Sequence, residues 1–261
     1  QPYLQEDKFI VYLGDNLIKG GVKELVKDFE DSTADASILL TRVPNPSEFG
    51  VAELQGDKVF RLVEKPKQPK YASALVGVYM FTTGVFEAID TLKPSFRGEY
   101  EITDAIQTLL DWNKEVRFHI VTGWWKDTGT VEAMLEANRL ILEDMHHEVF
   151  GTIKDTDLLG PVTVGKGSQV INSTIRGPAI IGDGCIVQDS YIGPFTSIGS
   201  NVVVNHAEIE YSIVMEGSRI EGVEDRISSS LIGRGVLVKS NELKPKSVRL
   251  VLGDQSSVIL P

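Results

Sequence analysis

The sequence is poor in cysteine and lacks long apolar runs. Its one cysteine, Cys185, cannot form an intrachain disulfide, so a reducing compartment such as the cytoplasm is expected. No apolar run approaches the roughly 18 residues that a membrane-spanning helix needs, so no membrane partner is expected. Together, the lack of a disulfide framework and of a membrane-spanning run favours an ordinary globular protein.

Basic residues are also scarce relative to acidic ones. The chain has 26 Lys and Arg against 37 Asp and Glu, which gives a formal net charge of −11. This balance argues against a nucleic-acid-binding surface. It also means that a metal ion would help wherever a polyphosphate must approach carboxylates.

The first half of the chain alternates short apolar runs with stretches of helical spacing. Runs at 9–13 and 36–43 predict buried strands, and the spacing from Val22 to Phe29 predicts a helix between them. Strands that alternate with helices indicate βαβ units and a mainly parallel sheet, in which ligands bind beyond the carboxyl ends of the strands. Further strands are predicted at 59–63, 74–81 and 116–121, and further helices at 102–110 and from Thr130 to about His147.

The second half carries a regular repeat of apolar triplets. Each triplet position recurs at the same constant period along the chain, and a glycine follows the first member of each triplet. This pattern predicts a three-sided solenoid, interpreted as a left-handed parallel β-helix, whose coils bury their apolar residues by stacking. An antiparallel β-sandwich is the alternative, but its strands would alternate at period two. The change of pattern divides the chain into domains at 1–148 and 149–261. The triplets are Val164, Val170 and Ile175, then Ile181, Val187 and Ile192, then Ile198, Val204 and Ile209.

Two aspartates stand where a doubly wound sheet binds ligands. Asp15 lies in LGDN, directly after the first apolar run, and Asp127 lies in WWKDTGT, just before a predicted helix. Each carboxylate could hold a Mg²⁺ ion that keeps most of its waters and also binds phosphate oxygens. Structural roles remain open as well, because Gly-Asp-Asn suits a turn and Asp127 can cap the following helix.

A Glu-Lys pair and an arginine supply charges that a sugar phosphate needs. Glu64 could accept hydrogen bonds from sugar hydroxyls while Lys65 meets a phosphate, although an exposed Glu-Lys pair before a loop rich in Pro and Lys is the simpler interpretation. Arg97, in a glycine-containing turn before a helix, can clamp a phosphate with two donors. Gly77 interrupts an apolar strand, which suggests close backbone approach by a ligand.

These motifs occur in order and jointly resemble one family. The series resembles the glucose-1-phosphate thymidylyltransferases, within the wider sugar-phosphate nucleotidyltransferase family, over about residues 9–146. With the repeat that follows, it resembles their long form. The resemblance implies an α/β fold with a doubly wound, Rossmann-like nucleotidyltransferase domain and then a left-handed parallel β-helix. The motifs are LGDN (13–16), FGVAE (49–53), VEKP (63–66), ALVGVYMF (74–81), RGEYEITDA (97–105) and WWKDTGT (124–130).

The resemblance also implies a reaction and a role for each matched residue. An oxygen of glucose 1-phosphate would attack the α-phosphorus of dTTP, and pyrophosphate would leave as dTDP-glucose forms. Asp15 and Asp127 match metal-binding aspartates, which makes Mg²⁺ the expected cofactor. Glu64 matches the residue that holds sugar hydroxyls, while Lys65 and Arg97 match catalytic groups on the sugar phosphate. Further matched substrate-binding positions are Gln1 in the base-recognition region, Gly50 and Leu75 in the sugar pocket, and Trp125 in its wall.

One part of the family pattern is absent. The glycine-rich opening loop with Thr, Arg and Lys, which cradles the triphosphate in the family, does not precede the first predicted strand. We therefore expect this chain to be partial at its N-terminal end, and we expect the segment by itself to be inactive because it lacks the groups that hold the triphosphate.

Other functions fit parts of the sequence. The same chemistry could make UDP-N-acetylglucosamine or UDP-glucose, because the loop that would distinguish the bases is missing. The β-helix could be an acetyltransferase with His206 as its base, or the chain could be a non-catalytic regulator or assembly module. A structural role is favoured for the β-helix, whose open strand edges must be capped or paired. We expect a homo-oligomer formed through a surface with Tyr191, Phe195, Tyr211 and Met215.

Overall fold

The computed structural model describes residues 4, 7–68, 73–240 and 257–259. The chain forms two compact units, Gln1–Gly129 and Thr130–Pro261. The helix that follows Gly129 belongs to the second unit, because its contacts are mainly with that unit. The division at residues 148 and 149 stays a prediction about domains.

The first unit contains every strand and helix that the sequence predicts before Gly129. Sequence patterns missed two short strands, a hairpin strand and a short helix. The elements are β1 (Phe9–Tyr12), β2 (Asn16–Ile18), α1 (Lys23–Glu30), β3 (Ala36–Arg42), a 3₁₀ turn (Pro46–Glu48), β4 (Gly50–Gln55), β5 (Lys58–Glu64), β6 (Ser73–Phe81), α2 (Gly84–Asp90), α3 (Ile102–Asp111), β7 (Val116–Ile120) and β8 (Trp125–Asp127).

The main sheet of this unit is mixed, so the prediction of a mainly parallel sheet is wrong for the described strands. Its order is β5-β4-β6-β3-β7, with β1 also paired to β6. Among the described strands, β3 and β7 run parallel, and the other pairings are antiparallel. The physical reason is partly local. β4 and β5 are joined by Gly56 and Asp57, with Gly56 at φ +62°, and such a two-residue turn connects antiparallel neighbours.

Helices cover both faces of this sheet, as expected for a doubly wound α/β domain. On one face, α2 and α3 pack their buried residues against β3 and β6. On the other, α1 places Phe29 against Leu39, Val76 and Met80. Ile106 and Leu109 of α3 are fully buried, and each such side chain contributes about 1.5–3 kcal/mol through burial.

The second unit consists of one helix and a parallel β-solenoid. No helix in the described part of the chain is long and apolar enough to cross a bilayer. The elements are α4 (Val131–Glu143), β9 (Glu148–Val149), β10 (Thr152–Lys154), β11 (Asp157–Leu159), β12 (Val162–Val164), β13 (Gln169–Ile171), β14 (Thr174–Arg176), β15 (Ala179–Ile181), β16 (Ile186–Gln188), β17 (Tyr191–Ile192), β18 (Thr196–Ile198), β19 (Val203–Glu210), β20 (Ile213–Val214), β21 (Arg219–Ser228), β22 (Leu231–Ile232) and β23 (Leu237–Lys239).

The solenoid confirms the predicted repeat. Parallel pairing joins Gln169 to Ile186 and Ile186 to Val203, so equivalent residues lie one coil apart at the predicted period. All nine apolar positions of the predicted triplets are buried, with exposures of 0–2%. They form one continuous core, which no single coil could bury by itself. The left-handed sense of the helix stays a prediction.

The glycines of the repeat are required by coil stacking. A Cβ atom on Gly182 would lie 2.8 Å from the backbone carbon of Gly199, and one on Gly165 would lie 2.6 Å from that of Gly182. The neighbouring backbone therefore occupies the space that a side chain would need, which explains why glycine recurs at this position in successive coils.

Helix α4 is joined to the solenoid by polar side chains. Thr130 caps it, because its hydroxyl accepts a hydrogen bond from the Ala133 amide at 3.2 Å. Asn138 donates to the Phe195 carbonyl at 2.9 Å and accepts from the Ser197 hydroxyl at 2.6 Å. These bonds fix the helix to the coils.

Candidate active site

The predicted metal-binding aspartates are brought to one place by a short strand pair. β2 and β8 run antiparallel, with Asn16 opposite Asp127. The amide and hydroxyl of Thr128 both donate to the Asp15 carbonyl, at 2.7 and 2.8 Å. Asp15 therefore lies beside the same end of this pair as Asp127, although the two stand far apart in sequence.

Asn16 connects the parts of this site. Its side-chain amide donates to Asp15 Oδ1 at 2.8 Å, and its Oδ1 accepts from the Trp125 indole at 2.7 Å and from the Gly77 amide at 3.1 Å. Asn16 is only 5% exposed, so these bonds are shielded from water. Asn16 stands in the LGDN motif, but no role was predicted for it.

Gly77 has a packing reason of its own. A Cβ atom there would lie 2.6 Å from Asn16 Nδ2 and 2.8 Å from Leu13 Cδ1. The close approach predicted at this glycine is thus made by two side chains of the same protein. Its contact with a ligand stays a prediction.

The two aspartates suit an ion that takes its other ligands from water and phosphate. Asp127 Oδ1 accepts from the Gly129 amide at 2.9 Å, and Asp15 uses one oxygen toward Asn16. Across the residues that the structure describes, no cluster of three or more acidic, His or Cys side chains could hold a metal ion. Mg²⁺ commonly binds one or two carboxylates and completes its shell in this way, so the donor set fits the predicted cofactor.

The predicted sugar-binding residues form a second group on β4, β5 and β6. Gly50 pairs with Glu64 across the β4–β5 hairpin. A Cβ atom on Gly50 would lie 3.0 Å from Glu64 Oε2, 3.6 Å from Leu75 Cδ1 and 2.6 Å from Thr103 Cγ2. Three predicted residues therefore lie together, and Thr103, on α3, joins them without having been predicted.

Glu64 is a largely buried carboxylate. Its Oε2 accepts from the Thr103 hydroxyl at 2.9 Å, and its side chain is 16% exposed. Burial raises the pKa of Glu64, and the nearby Glu101 carboxylate raises it further, whereas the Thr103 hydrogen bond and the charges of Lys65 and Arg97 act in the opposite direction. Such a carboxylate holds its hydrogen bonds to hydroxyl groups in a weakly solvated place.

Lys65 adopts a backbone conformation that is costly for its type. Its φ is +39°, in the left-handed region, and its amide donates to the Phe49 carbonyl at 3.1 Å. This region is unfavourable for a residue that precedes a proline, here Pro66, and costs about 1–3 kcal/mol. The hairpin therefore holds Lys65 in a fixed direction directly after Glu64.

Arg97 lies near Glu64 but is surrounded by acids. Its Nη1 is 3.8 Å from Glu64 Oε1 and 3.2 Å from Glu101 Oε1, and its Nη2 is 2.8 Å from Glu99 Oε2. Carboxylates thus occupy the donors of Arg97, and its role as a phosphate clamp stays a prediction. Glu101 was not predicted as part of the site.

Trp125 lies between the two groups. Its indole donates to Asn16, and its ring meets the Phe49 ring edge-on, with centroids 5.4 Å apart. Phe49 precedes Gly50, so one aromatic contact links the two aspartates to the predicted sugar-binding residues. Gln1, the remaining predicted substrate residue, lies outside the described residues.

Comparison with known proteins decides the family. The nucleotidyl transferase family model matches residues 2–144. The chain belongs to the nucleotidyl transferase family. Proteins named glucose-1-phosphate thymidylyltransferase from Streptomyces antibioticus and Streptomyces griseus are 51% and 49% identical to it, over 98% and 97% of this chain and 72% of each relative.

A solved structure supports the same family assignment. It is of a Bacillus anthracis protein described as a glucose-1-phosphate thymidylyltransferase, in complex with sucrose, with 36% identity and a TM-score of 0.50. The match covers 56% of this chain and 59% of that chain. A nucleotidyltransferase domain followed by a parallel β-solenoid is therefore the fold class of the protein, as the motifs and the repeat indicated.

His206, the candidate acetyltransferase base, lies on the surface of the solenoid. His206 lies at an exposed corner, with Nδ1 2.9 Å from Asn205 Oδ1 and Nε2 3.6 Å from Asp189 Oδ2. Its side chain is 65% exposed, so little excludes water from it. The acetyltransferase alternative gains no support from these surroundings.

Three of the residues predicted for an oligomer surface have partners within the second unit. Tyr211 donates to Glu136 of α4 at 3.3 Å and meets the Phe195 ring edge-on. Tyr191 lies under the Arg226 guanidinium, 5.0 Å from its ring centroid. Cys185 is fully buried, and burial raises the pKa of its thiol, which suits a packing residue.

Proposed function

We propose that the protein transfers a thymidylyl group from dTTP to glucose 1-phosphate, giving dTDP-glucose and pyrophosphate. The observation that carries this proposal is the convergence of two groups of predicted residues. Asp15 and Asp127 meet at one strand pair, Gly50, Glu64 and Leu75 lie together on β4, β5 and β6, and Trp125 links the two groups. The names of the Streptomyces relatives support the choice of base and sugar.

The chemistry requires positioning and charge neutralisation. A phosphate oxygen of the sugar phosphate forms a bond to the α-phosphorus of dTTP, and the bond from that phosphorus to the bridging oxygen breaks in line. Pyrophosphate leaves with the electron pair. No general base is needed, because a phosphate monoester is already largely dianionic at pH 7. Positioning can supply much of the rate in such a reaction.

Each side chain has a task in this scheme. Asp15 and Asp127 would hold Mg²⁺, which supplies electrostatic stabilisation of the developing phosphate charge. Glu64 accepts hydrogen bonds from sugar hydroxyls. Lys65 and Arg97 neutralise the sugar phosphate, Lys65 as a point charge on a flexible stem and Arg97 as a planar fork that can donate two hydrogen bonds.

Assembly and location are proposed as well. A homo-oligomer formed through the solenoid would bury exposed apolar side chains such as Met215, which is 37% exposed. A cytoplasmic location agrees with a single buried cysteine. Sedimentation as a monomer at micromolar concentration would contradict the assembly.

Product identity tests the proposal. The full-length enzyme is incubated with Mg²⁺, each sugar 1-phosphate and each nucleoside triphosphate, and pyrophosphate release is followed. We expect dTTP with glucose 1-phosphate to react fastest. Faster reaction of UTP with glucose 1-phosphate or N-acetylglucosamine 1-phosphate would favour the UDP-sugar alternative, and no release with any pair would refute nucleotidyl transfer.

A charge-removing variant tests the metal site. Asp127→Asn keeps the acceptor for the Gly129 amide but removes the charge, and should lower kcat by roughly 100-fold or more. Asp90→Asn, at the exposed end of α2, is the matched control and should retain activity. Equal activity of both variants would remove Asp127 from the site.

A further inference from the structure

The two terminal nitrogens of Arg97 have different surroundings. Nη1 lies between Glu101 at 3.2 Å and Glu64 at 3.8 Å, whose side chains are 10% and 16% exposed. Nη2 points to Glu99 at 2.8 Å, whose side chain is 58% exposed. One end of the guanidinium is thus held by buried acids, and the other by an acid at the surface.

Glu101 and Ser95 together hold Arg97 at two points. Glu101 Oε1 accepts from Arg97 Nη1 and, at 3.0 Å, from the Ser95 hydroxyl. The Ser95 oxygen in turn accepts from the backbone amide of Arg97 at 3.1 Å. Backbone and side chain of the arginine are therefore oriented by one small hydrogen-bond network.

A purely structural role explains Glu101 less well. It stands at the N-cap of α3, where a negative charge is favourable toward the helix dipole. Yet among the described residues its side chain makes no capping hydrogen bond. It turns instead toward Ser95 and Arg97, so its contacts serve the arginine more than the helix.

We propose that Glu101 is a positioning residue that holds Arg97 for the sugar phosphate, and that Glu99 occupies the phosphate's place until the substrate binds. This inference rests on the proposed function. It adds two acids to the site, one that orients the arginine and one that competes with the substrate for it.

The difference in burial supports this division of roles. An exposed ion pair such as that with Glu99 is weak and is screened by water and salt. A charge-assisted hydrogen bond to a buried carboxylate is stronger and geometrically more specific. An arriving phosphate dianion should therefore displace Glu99 from Nη2, while Nη1 stays bound to Glu101.

Two substitutions of the same kind, at two glutamates that contact Arg97, separate the roles. Glu101→Gln should raise the KM for the sugar 1-phosphate roughly 10- to 100-fold and leave the KM for the nucleoside triphosphate unchanged. The reason is that the Arg97 guanidinium is no longer held in position for the sugar phosphate. Glu99→Gln should lower the KM for the sugar phosphate roughly two- to fivefold, since a weak competitor is removed. Thermal unfolding of both variants shows whether they remain folded.

A binding measurement keeps this test independent of turnover. Inorganic phosphate is titrated into the full-length enzyme by calorimetry, and we expect Glu101→Gln to weaken its affinity and Glu99→Gln to strengthen it. Equal effects of the two substitutions, or no effect of Glu101→Gln, would overturn the proposal. The two variants could change phosphate affinity as expected while the wild-type enzyme releases no pyrophosphate. That result would refute the proposed function and leave the roles of Glu101 and Glu99 standing.

Discussion

Replacement of Gly77 by alanine distinguishes two explanations of this glycine. The added Cβ atom would lie 2.6 Å from Asn16 Nδ2, well inside van der Waals contact, and 2.8 Å from Leu13. Asn16 would have to move, with loss or weakening of its bonds to Trp125 and Asp15. Overpacking costs about 1–3 kcal/mol, and each net hydrogen bond about 1 kcal/mol. We therefore expect Gly77→Ala to reduce the free energy of unfolding by about 2–4 kcal/mol.

The assay is chemical denaturation followed by tryptophan fluorescence. All three tryptophans precede residue 130, so their signal reports on the first unit. Gly14→Ala is the matched control, because a Cβ atom on Gly14 has no neighbour within 4 Å, and a change below about 0.5 kcal/mol is expected. Wild-type stability in Gly77→Ala, combined with a large loss of substrate affinity, would refute the packing explanation and favour direct ligand contact.

Substitutions elsewhere test three other contacts. Ile192→Ala, in the solenoid core, should lower the free energy of unfolding by about 2–5 kcal/mol, measured by denaturation. Ile186→Ala, on the outer surface of the same coil, is the control and should change this free energy little. Thr103→Val removes a hydrogen bond that lowers the pKa of Glu64, so this pKa should rise. The acid limb of the pH profile of kcat/KM should then move to higher pH. If that limb does not move, Glu64 is not a group that must be ionised for activity. Lys8→Met leaves three carbonyls at the end of α1 without their ammonium donor. It should lower the free energy of unfolding by about 1–3 kcal/mol, measured as a lower Tm. An unchanged Tm would show that water replaces the ammonium.

The solenoid was predictable because each of its coils repeats one local rule. Val170, Val187 and Val204 are evenly spaced in sequence, and their pairing one above the other follows from that constant period. The main sheet of the first unit was not predictable in this way. Strand direction there depends on which strand lies beside which, and β6 separates β3 from β4 in the sheet although it follows both in sequence.

The candidate site shows the same limit. Asp15, Glu64 and Asp127 could be singled out because each stands in a recognisable motif. The role of Asn16 could not, because two of its partners lie 61 and 109 residues away. Thr103 looks like an ordinary polar residue in the first turn of a helix, and its bond to Glu64 spans 39 residues. Motifs identify charged groups, whereas the contacts that orient them arise from tertiary packing.

The late coils of the solenoid vary in length while their core stays in line. Val203 pairs with Arg219 and Arg219 pairs with Leu237, so the first of these coils is slightly shorter than the regular period and the second is slightly longer. The register shift after Ala207 accommodates the additional residues near Glu224 as an exposed irregularity within β21, and Val214 and Ile220 remain fully buried. Inserted peptides of foreign sequence should be accommodated at this register shift, which makes it a suitable place to graft an epitope or a tether onto the solenoid.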